Sequence, residues 1–319
     1  MTQPRRLDRV LGLELEGIPP YSFDLSVHKP AGWAWISPFE AFSEGTVWTG
    51  FNVAERPIGI KAWSTGTVSE PSVRAEVYSD GPLPDREESL VETRLAMCLG
   101  LREDVAGFYE LAERHDFLRQ AKHDLYGMRC TPFPDVFTGA ILAVTLQWSA
   151  LKRSVGMRRS LYLEFGDRIS FDGRTVILCP SPRRIASVGV EELRGRCNLG
   201  YRASFIRRIA EAIVRGDAPA MDELYAMPPS EARRRLRALK GIGEYSADII
   251  SPRMGFPVDV WSARIFARVF GLDASRPVGR LIADTRRVAD DLFGEWKGYV
   301  FVYVINDLAI REPSLLGMG

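Results

Sequence analysis

The feature that most narrows the fold is a change in hydrophobic period close to residue 86. Before it, segments 46–53, 58–63 and 72–78 alternate apolar and polar residues and are broken by the turn signals Ser64-Thr65-Gly66 and Asp80-Gly81-Pro82. Alternation sends successive side chains to opposite faces of a strand, so these stretches predict a sheet. After it, 89–99, 105–114 and 137–149 show helical spacing, the last introduced by Pro134 and Asp135. Helical patterns resume at 182–187, 203–214, 221–225, 230–238 and 245–250, then continue through 260–269, 284–292 and 299–308, with short connections. A short strand-like hairpin is expected at 169–178, turning at Asp172-Gly173. The predicted class is α+β: an N-terminal β-rich domain over 1–86, followed by a larger all-helical core over 87–319.

A chain of 319 residues is long enough for two or three packed units. Its 42 Lys and Arg against 41 Asp and Glu give a net charge of +1, so overall charge neither invites nor excludes a nucleic-acid partner. Cys98, Cys130, Cys179 and Cys197 are scattered singly, without histidine at ligand spacing. That argues against zinc, an iron–sulfur cluster or a disulfide framework, so no metal is assigned and a reducing compartment is expected. No apolar segment follows the charged stretch 1–9, and no apolar run approaches the ~20 residues of a membrane span. The expectation is a soluble intracellular protein with no membrane partner.

The stretch Leu239-Lys240-Gly241-Ile242-Gly243-Glu244-Tyr245 lies between two helical patterns. Two glycines around one apolar residue permit a tight hairpin whose N–H groups point outward at a helix N-terminus. Unpaired donors and the helix dipole then act together on a phosphate. Ile242 would plug the hairpin into the core, and Ala247 would let the helices approach. A helix C-cap followed by an N-cap, with no ligand, is the alternative. Pro257-Val258-Asp259-Val260 places an acid at the start of the next helical pattern. A carboxylate there can stabilise the positive charge that develops on a deoxyribose as its glycosidic bond breaks, and can orient the attacking water. By itself, Asp259 would read as an ordinary N-cap.

Together these residues resemble the helix-hairpin-helix/Gly-Pro-Asp superfamily of base-excision DNA glycosylases. The resemblance spans roughly residues 120–310. Asp135 to Ser149, with Gln147 and Trp148, is similar to the family helix and loop that enter DNA at the lesion. Cys179-Pro180-Ser181-Pro182 and Leu199-Gly200-Tyr201-Arg202-Ala203 resemble two further family signatures. The β-rich leader resembles the layout shared by the alkylbase and 8-oxoguanine glycosylases.

The resemblance implies Asp259 as catalytic carboxylate, with two helical subdomains enclosing a cleft for the base. Gly241 and Gly243 would bind phosphate, aided by Lys240, which replaces a common proline. Tyr245 stands where lyase-active members carry a nucleophilic lysine, so water rather than an amine is implied. Tyr245 and Trp296 would wall the base pocket, where electron-rich faces favour a cationic base; a core position is the alternative for both. Trp148 would fill the gap left by the flipped base, with a buried core position as the alternative, and Gln147 would touch the estranged base, with a purely structural role as its alternative. Between Leu193 and Lys240 basic residues outnumber acidic ones roughly two to one. Arg202 is the one assigned to DNA among Arg194, Arg196, Arg207, Arg208 and Arg233 to Arg235. The expected partner is double-stranded DNA containing a damaged base, bound by a monomer in the cytoplasm, nucleoid or nucleus. The expected reaction is monofunctional excision of an alkylated purine such as 3-methyladenine. An 8-oxoguanine-type activity and a non-catalytic DNA-binding protein are the alternatives. No cofactor is required; a structural monovalent cation at the hairpin is implied by the resemblance alone.

Overall fold

A computed structural model describes residues 3–316. The strands are β1 Arg5–Arg6, β2 Asp8–Glu16, β3 Ala41–Ser43, β4 Thr46–Val53, β5 Arg56–Ser64, β6 Ser72–Ser79, β7 Arg168–Phe171 and β8 Arg174–Ile177. Strands β2 to β6 form an antiparallel sheet in the order β2-β6-β5-β4-β3. The three foreseen strands are β4, β5 and β6. Strand β2 was missed because it is an edge strand, its charged residues facing water on most of its length.

Burial on both faces of β4 follows from what covers the sheet. One face packs on the helix Asp85–Leu99 through Val91, Leu95 and Leu99. The other receives the β7–β8 hairpin, whose Phe171 ring would lie 2.7 Å from a Cβ on Gly59. Leu178 closes similarly on Gly50, at 2.8 Å. Trp48, Tyr78, Ile169 and Phe171 form a small separate core there. The foreseen hairpin turns at Asp172 and Gly173, both at positive φ (45° and 70°), as a tight two-residue turn requires. It leaves the helical body and docks on the N-terminal sheet, where β7 also pairs in parallel with β1.

The helical body has two cores. Residues 136–250 supply the first, including Ile141, Leu161, Ile206, Leu236 and Ile250. The second joins the helices Ala106–Ala112 and Asp116–Asp124 to the C-terminal helices Ser262–Val269, Val278–Phe293 and Lys297–Arg311. Its centre is aromatic: Phe256 meets Phe266 edge-on at 4.8 Å and Phe301 at 5.5 Å. Truncating such a ring to alanine costs about 3–5 kcal/mol. The chain passes from the first core to the second at residues 251–258. Tyr245 and Asp259 flank that crossing.

Helix ends differ from the periodic pattern where local bonding intervenes. Asp135 caps Val136–Leu146 by accepting the Thr138 N–H at 2.7 Å. That helix stops at Leu146 rather than Ser149, because Trp148 adopts φ 47°. The helices Leu151–Phe165 and Val190–Cys197 were not expected. Each buries a narrow stripe interrupted by charged or small residues, which blurs the period. Among the described residues no helix is long and apolar enough to cross a membrane.

Candidate active site

The hairpin forms where the helix Pro229–Arg237 gives way to Glu244–Ile250. Tight turns carry it: the Leu239 N–H donates to Leu236 O and the Ile242 N–H to Leu239 O, both at 3.0 Å. Gly241 has φ 102°, and a Cβ there would lie 2.7 Å from the Phe205 side chain, so only glycine fits. Gly243 is the N-cap of Glu244–Ile250, and a Cβ on it would meet nothing within 4 Å. With no side chain to cap the helix, its first-turn N–H groups are left for an outside acceptor. Ile242 is buried in the first core, Ala247 is fully buried, and Lys240 is exposed.

Asp259 is positioned by the residues that follow it. Its Oδ1 accepts the Ser262 N–H and Oγ–H, each at 2.9 Å, and the Trp261 N–H at 3.1 Å. The Asp259 N–H donates to Ser262 Oγ at 2.9 Å, completing a reciprocal cap. From the hairpin, the Tyr245 hydroxyl donates to Oδ2 at 3.4 Å. Burial, reinforced by the neighbouring Asp259 charge, pushes the Tyr245 phenol well above its usual range. It therefore stays a neutral donor. The carboxylate is half-buried and oriented by four donors, with Oδ1 taken up in capping and Oδ2 facing the Tyr245 hydroxyl. Ser262 was missed by the sequence reading, although an acid three residues before a serine at a helix start is a capping signal.

The loop after Val136–Leu146 carries Trp148 at its tip, 86% exposed, with Leu151 also exposed beside it. Gln147 points away from solvent. Its amide donates to Gly241 O and to Ser246 Oγ, each at 2.9 Å, and so braces this loop against the hairpin. Arg202 is likewise turned inward. It is 3% exposed, donates to Gln147 O and to Trp148 O, and stacks on the Tyr201 ring. Both residues expected at the DNA thus make internal bonds: Arg202 satisfies the Gln147 and Trp148 carbonyls, and Gln147 satisfies Gly241 O and Ser246 Oγ. Both residues hold the tryptophan outward.

Trp296 is half-buried, packed at 6.2 Å on Phe108 and edge-on at 5.6 Å on Tyr299, with Gly107 against its edge. Its recorded partners do not include Tyr245 or Asp259. The basic stretch is largely paired on the surface: Arg194 with Glu191, Arg196 with Glu192 and Glu164, Arg207 with Glu211, Arg234 and Arg235 with Glu231. Exposed pairs of this kind contribute only about 0–1 kcal/mol, so a phosphate can replace the carboxylate at small cost. Among the described residues no three His, Cys, Asp or Glu side chains converge as a metal site. The four cysteines are free.

A β-sheet leader, a two-core helical body, a Gly-x-Gly hairpin and an acid at the next helix start make up a fold shared with solved DNA glycosylases. The comparisons with known proteins agree on that architecture. The structure is similar to a 3-methyladenine DNA-glycosylase from Archaeoglobus fulgidus, with a TM-score of 0.71 and 21% identity over 94% of this chain and 99% of that one. It is also similar to the 8-oxoguanine glycosylase/lyase of Clostridium acetobutylicum in complex with double-stranded DNA. There the TM-score is 0.68 and the identity 15%, over 96% of this chain and 99% of that one. In sequence, 164 residues are 26% identical to a DNA-3-methyladenine glycosylase of Bacillus subtilis (strain 168), covering 50% of this chain. The chain spans about half of that relative's length, 54%. No family model matches the chain.

Proposed function

We propose that the protein is a monofunctional DNA glycosylase that removes an alkylated purine, such as 3-methyladenine, from double-stranded DNA and leaves an abasic site. The observation that carries this reading is the Asp259 carboxylate, oriented by Ser262, Trp261 and Tyr245 beside the Gly-x-Gly hairpin. The hairpin N–H groups and Lys240 would take a phosphate of the bent strand, and Trp148 would enter the gap behind the flipped nucleotide. As the C1′–N bond breaks, its electron pair leaves with the base, and an already cationic alkylated base departs neutral. Positive charge developing on the sugar faces Asp259. Water forms the new bond to C1′ and gives up a proton.

No amine stands at Tyr245, so a Schiff base and strand cleavage are not expected there. Its ring and that of Trp296 are the proposed pocket walls, with faces suited to a cationic base. The protein is proposed to act as a monomer without a required cofactor. A monovalent cation at the hairpin would have backbone carbonyls as ligands, two of which, Leu239 and Gly241, already accept hydrogen bonds.

The test is excision from duplexes carrying 3-methyladenine-type, hypoxanthine, 8-oxoguanine or uracil lesions, read after alkaline cleavage of abasic sites. Asp259→Asn runs alongside. Release of an alkylated or deaminated purine that Asp259→Asn abolishes is the expected result. Release confined to 8-oxoguanine would replace the substrate, in keeping with the second structural likeness. A borohydride-trapped adduct would overturn the water mechanism. Tight binding of abasic DNA with no release from any lesion would leave a binding protein.

A further inference from the structure

The segment that delivers Asp259 to the site is itself clamped, and the clamp is a buried acid outside the reacting centre. Asp248 lies on Glu244–Ile250, one turn after Tyr245, and is 6% exposed. Its carbonyl accepts the Gly255 N–H at 3.0 Å. Its carboxylate lies so close on Gly255 that a Cβ there would overlap Oδ1 and Cγ. On the opposite side, Gly298 admits the Met254 carbonyl into space a Cβ would fill. The crossing is thus pinned between two helices four residues before Asp259. Tyr245 holds the Asp259 side chain, and Asp248 holds the backbone that carries it.

The groups facing Asp248 come from every neighbouring element. Arg233 of the first hairpin helix lies 3.7 Å from Oδ1, and Arg286 of Val278–Phe293 lies 3.6 Å from Oδ2. Arg286 also pairs with Glu244 at 2.5 Å, and its Nε has no hydrogen-bond partner. Arg234, Arg237, Asp290 and Lys297 also line the surrounding cleft of about 330 Å³. The arginines tie the first hairpin helix and the helix Val278–Phe293 to one carboxylate on the second hairpin helix.

We propose that Asp248 is a positioning residue for the reaction: through Gly255 and the Arg233 and Arg286 pairs, it sets where Asp259 stands relative to the hairpin. The inference rests on the glycosylase reading above. Burial, which outweighs the two arginines, pushes the Asp248 carboxyl up to about 6. Below that pH the carboxyl takes up a proton and its pull on both arginines is lost, so the chemical step slows, while the turn at Gly241 to Gly243, which makes none of these pairs, keeps its N–H groups in place. Because the folded protein binds this proton more tightly than the unfolded chain, ionised Asp248 destabilises the fold at neutral pH.

The experiment is single-turnover excision on the best substrate of the wild-type protein, with affinity for abasic duplex and melting measured alongside. Asp248→Asn is expected to lose roughly 10- to 100-fold in rate, the scale of a sub-ångström misplacement. Its affinity stays within about twofold, its melting temperature at pH 7.5 is no lower, and the acid limb near pH 6 vanishes. Gly255 lies outside the left-handed region, and the three atoms nearest the Cβ of Gly255→Ala all belong to Asp248. It is expected to lose at least as much rate as Asp248→Gly, and adding Asp248→Gly, which also removes the Asp248 Cβ that would lie 2.9 Å from the new one, should return it to the level of that single variant. Amide exchange at Gly255 should quicken in Asp248→Ala without any DNA. Wild-type rate and an intact acid limb in Asp248→Asn would overturn the inference, as would strictly additive losses at 248 and 255. No excision by the wild-type protein would instead overturn the glycosylase reading, and the amide-exchange result would still report on the clamp.

Discussion

Trp148 offers the sharpest separation of a role in DNA binding from a role in folding. It is 86% exposed and held at φ 47°. A left-handed backbone costs a non-glycine residue about 1–2 kcal/mol. Trp148→Gly removes that strain and loses almost no buried surface, while glycine adds about 0.5–1 kcal/mol of unfolded-chain entropy. The net effect on stability is between zero and a gain of about 1.5 kcal/mol, or at most a few degrees upward in melting temperature. Stacking on a base, in contrast, is worth about 1–3 kcal/mol, so the same variant should bind duplex with an abasic analogue roughly 5- to 150-fold more weakly. Trp148→Phe should keep part of the affinity. Fluorescence anisotropy with a labelled abasic duplex gives the first quantity and a thermal melt the second. A variant that melts several degrees lower and binds as tightly as wild type would refute the wedge and return Trp148 to a packing role.

Tyr245→Phe deletes one donor to a carboxylate. Bonds to charged groups contribute about 1.5–3 kcal/mol, and at 3.4 Å the low end applies, so about a tenfold loss in single-turnover rate is expected. A rate unchanged within twofold would show that Ser262 and Trp261 suffice. Gln147→Ala leaves Gly241 O and Ser246 Oγ without their donor, and should cost about 1–2 kcal/mol in urea melts while weakening abasic-duplex binding severalfold. Intact stability there would mean that water replaces the amide.

The hairpin and its acid were legible because their chemistry is written in backbone-permissive and capping residues. Gly241 declares a left-handed turn, and Asp259 a helix start, whatever surrounds them. Gln147 and Arg202 were not legible in the same way. A polar residue at a loop tip reads as a DNA contact or as an internal brace with equal ease. The internal bonds follow from partners distant in sequence: Gly241 O and Ser246 Oγ for Gln147, and the Gln147 and Trp148 carbonyls for Arg202. Trp296 illustrates a further limit: the family resemblance made it a pocket candidate, but its neighbours Gly107 and Phe108 lie nearly two hundred positions earlier. The sheet was read correctly in its three central strands, where alternation is strongest, and missed at the charged edge.

The docking of β7–β8 on the N-terminal sheet has a consequence for how the chain is made. Strand β6 ends at Ser79 and β7 begins at Arg168, about 90 residues later. At synthesis rates of about 5–20 residues per second, the sheet waits roughly 4–18 s on the ribosome for its cover. During that interval the glycines of β4 and β5, with Trp48 and Tyr78 beside them, present an apolar surface and a β1 segment without its pairing strand. Charged side chains along β2 guard one margin of the nascent sheet against another chain during this wait. Chaperone dependence of this protein should therefore peak for nascent chains between about 80 and 180 residues long, and fall once the hairpin has emerged.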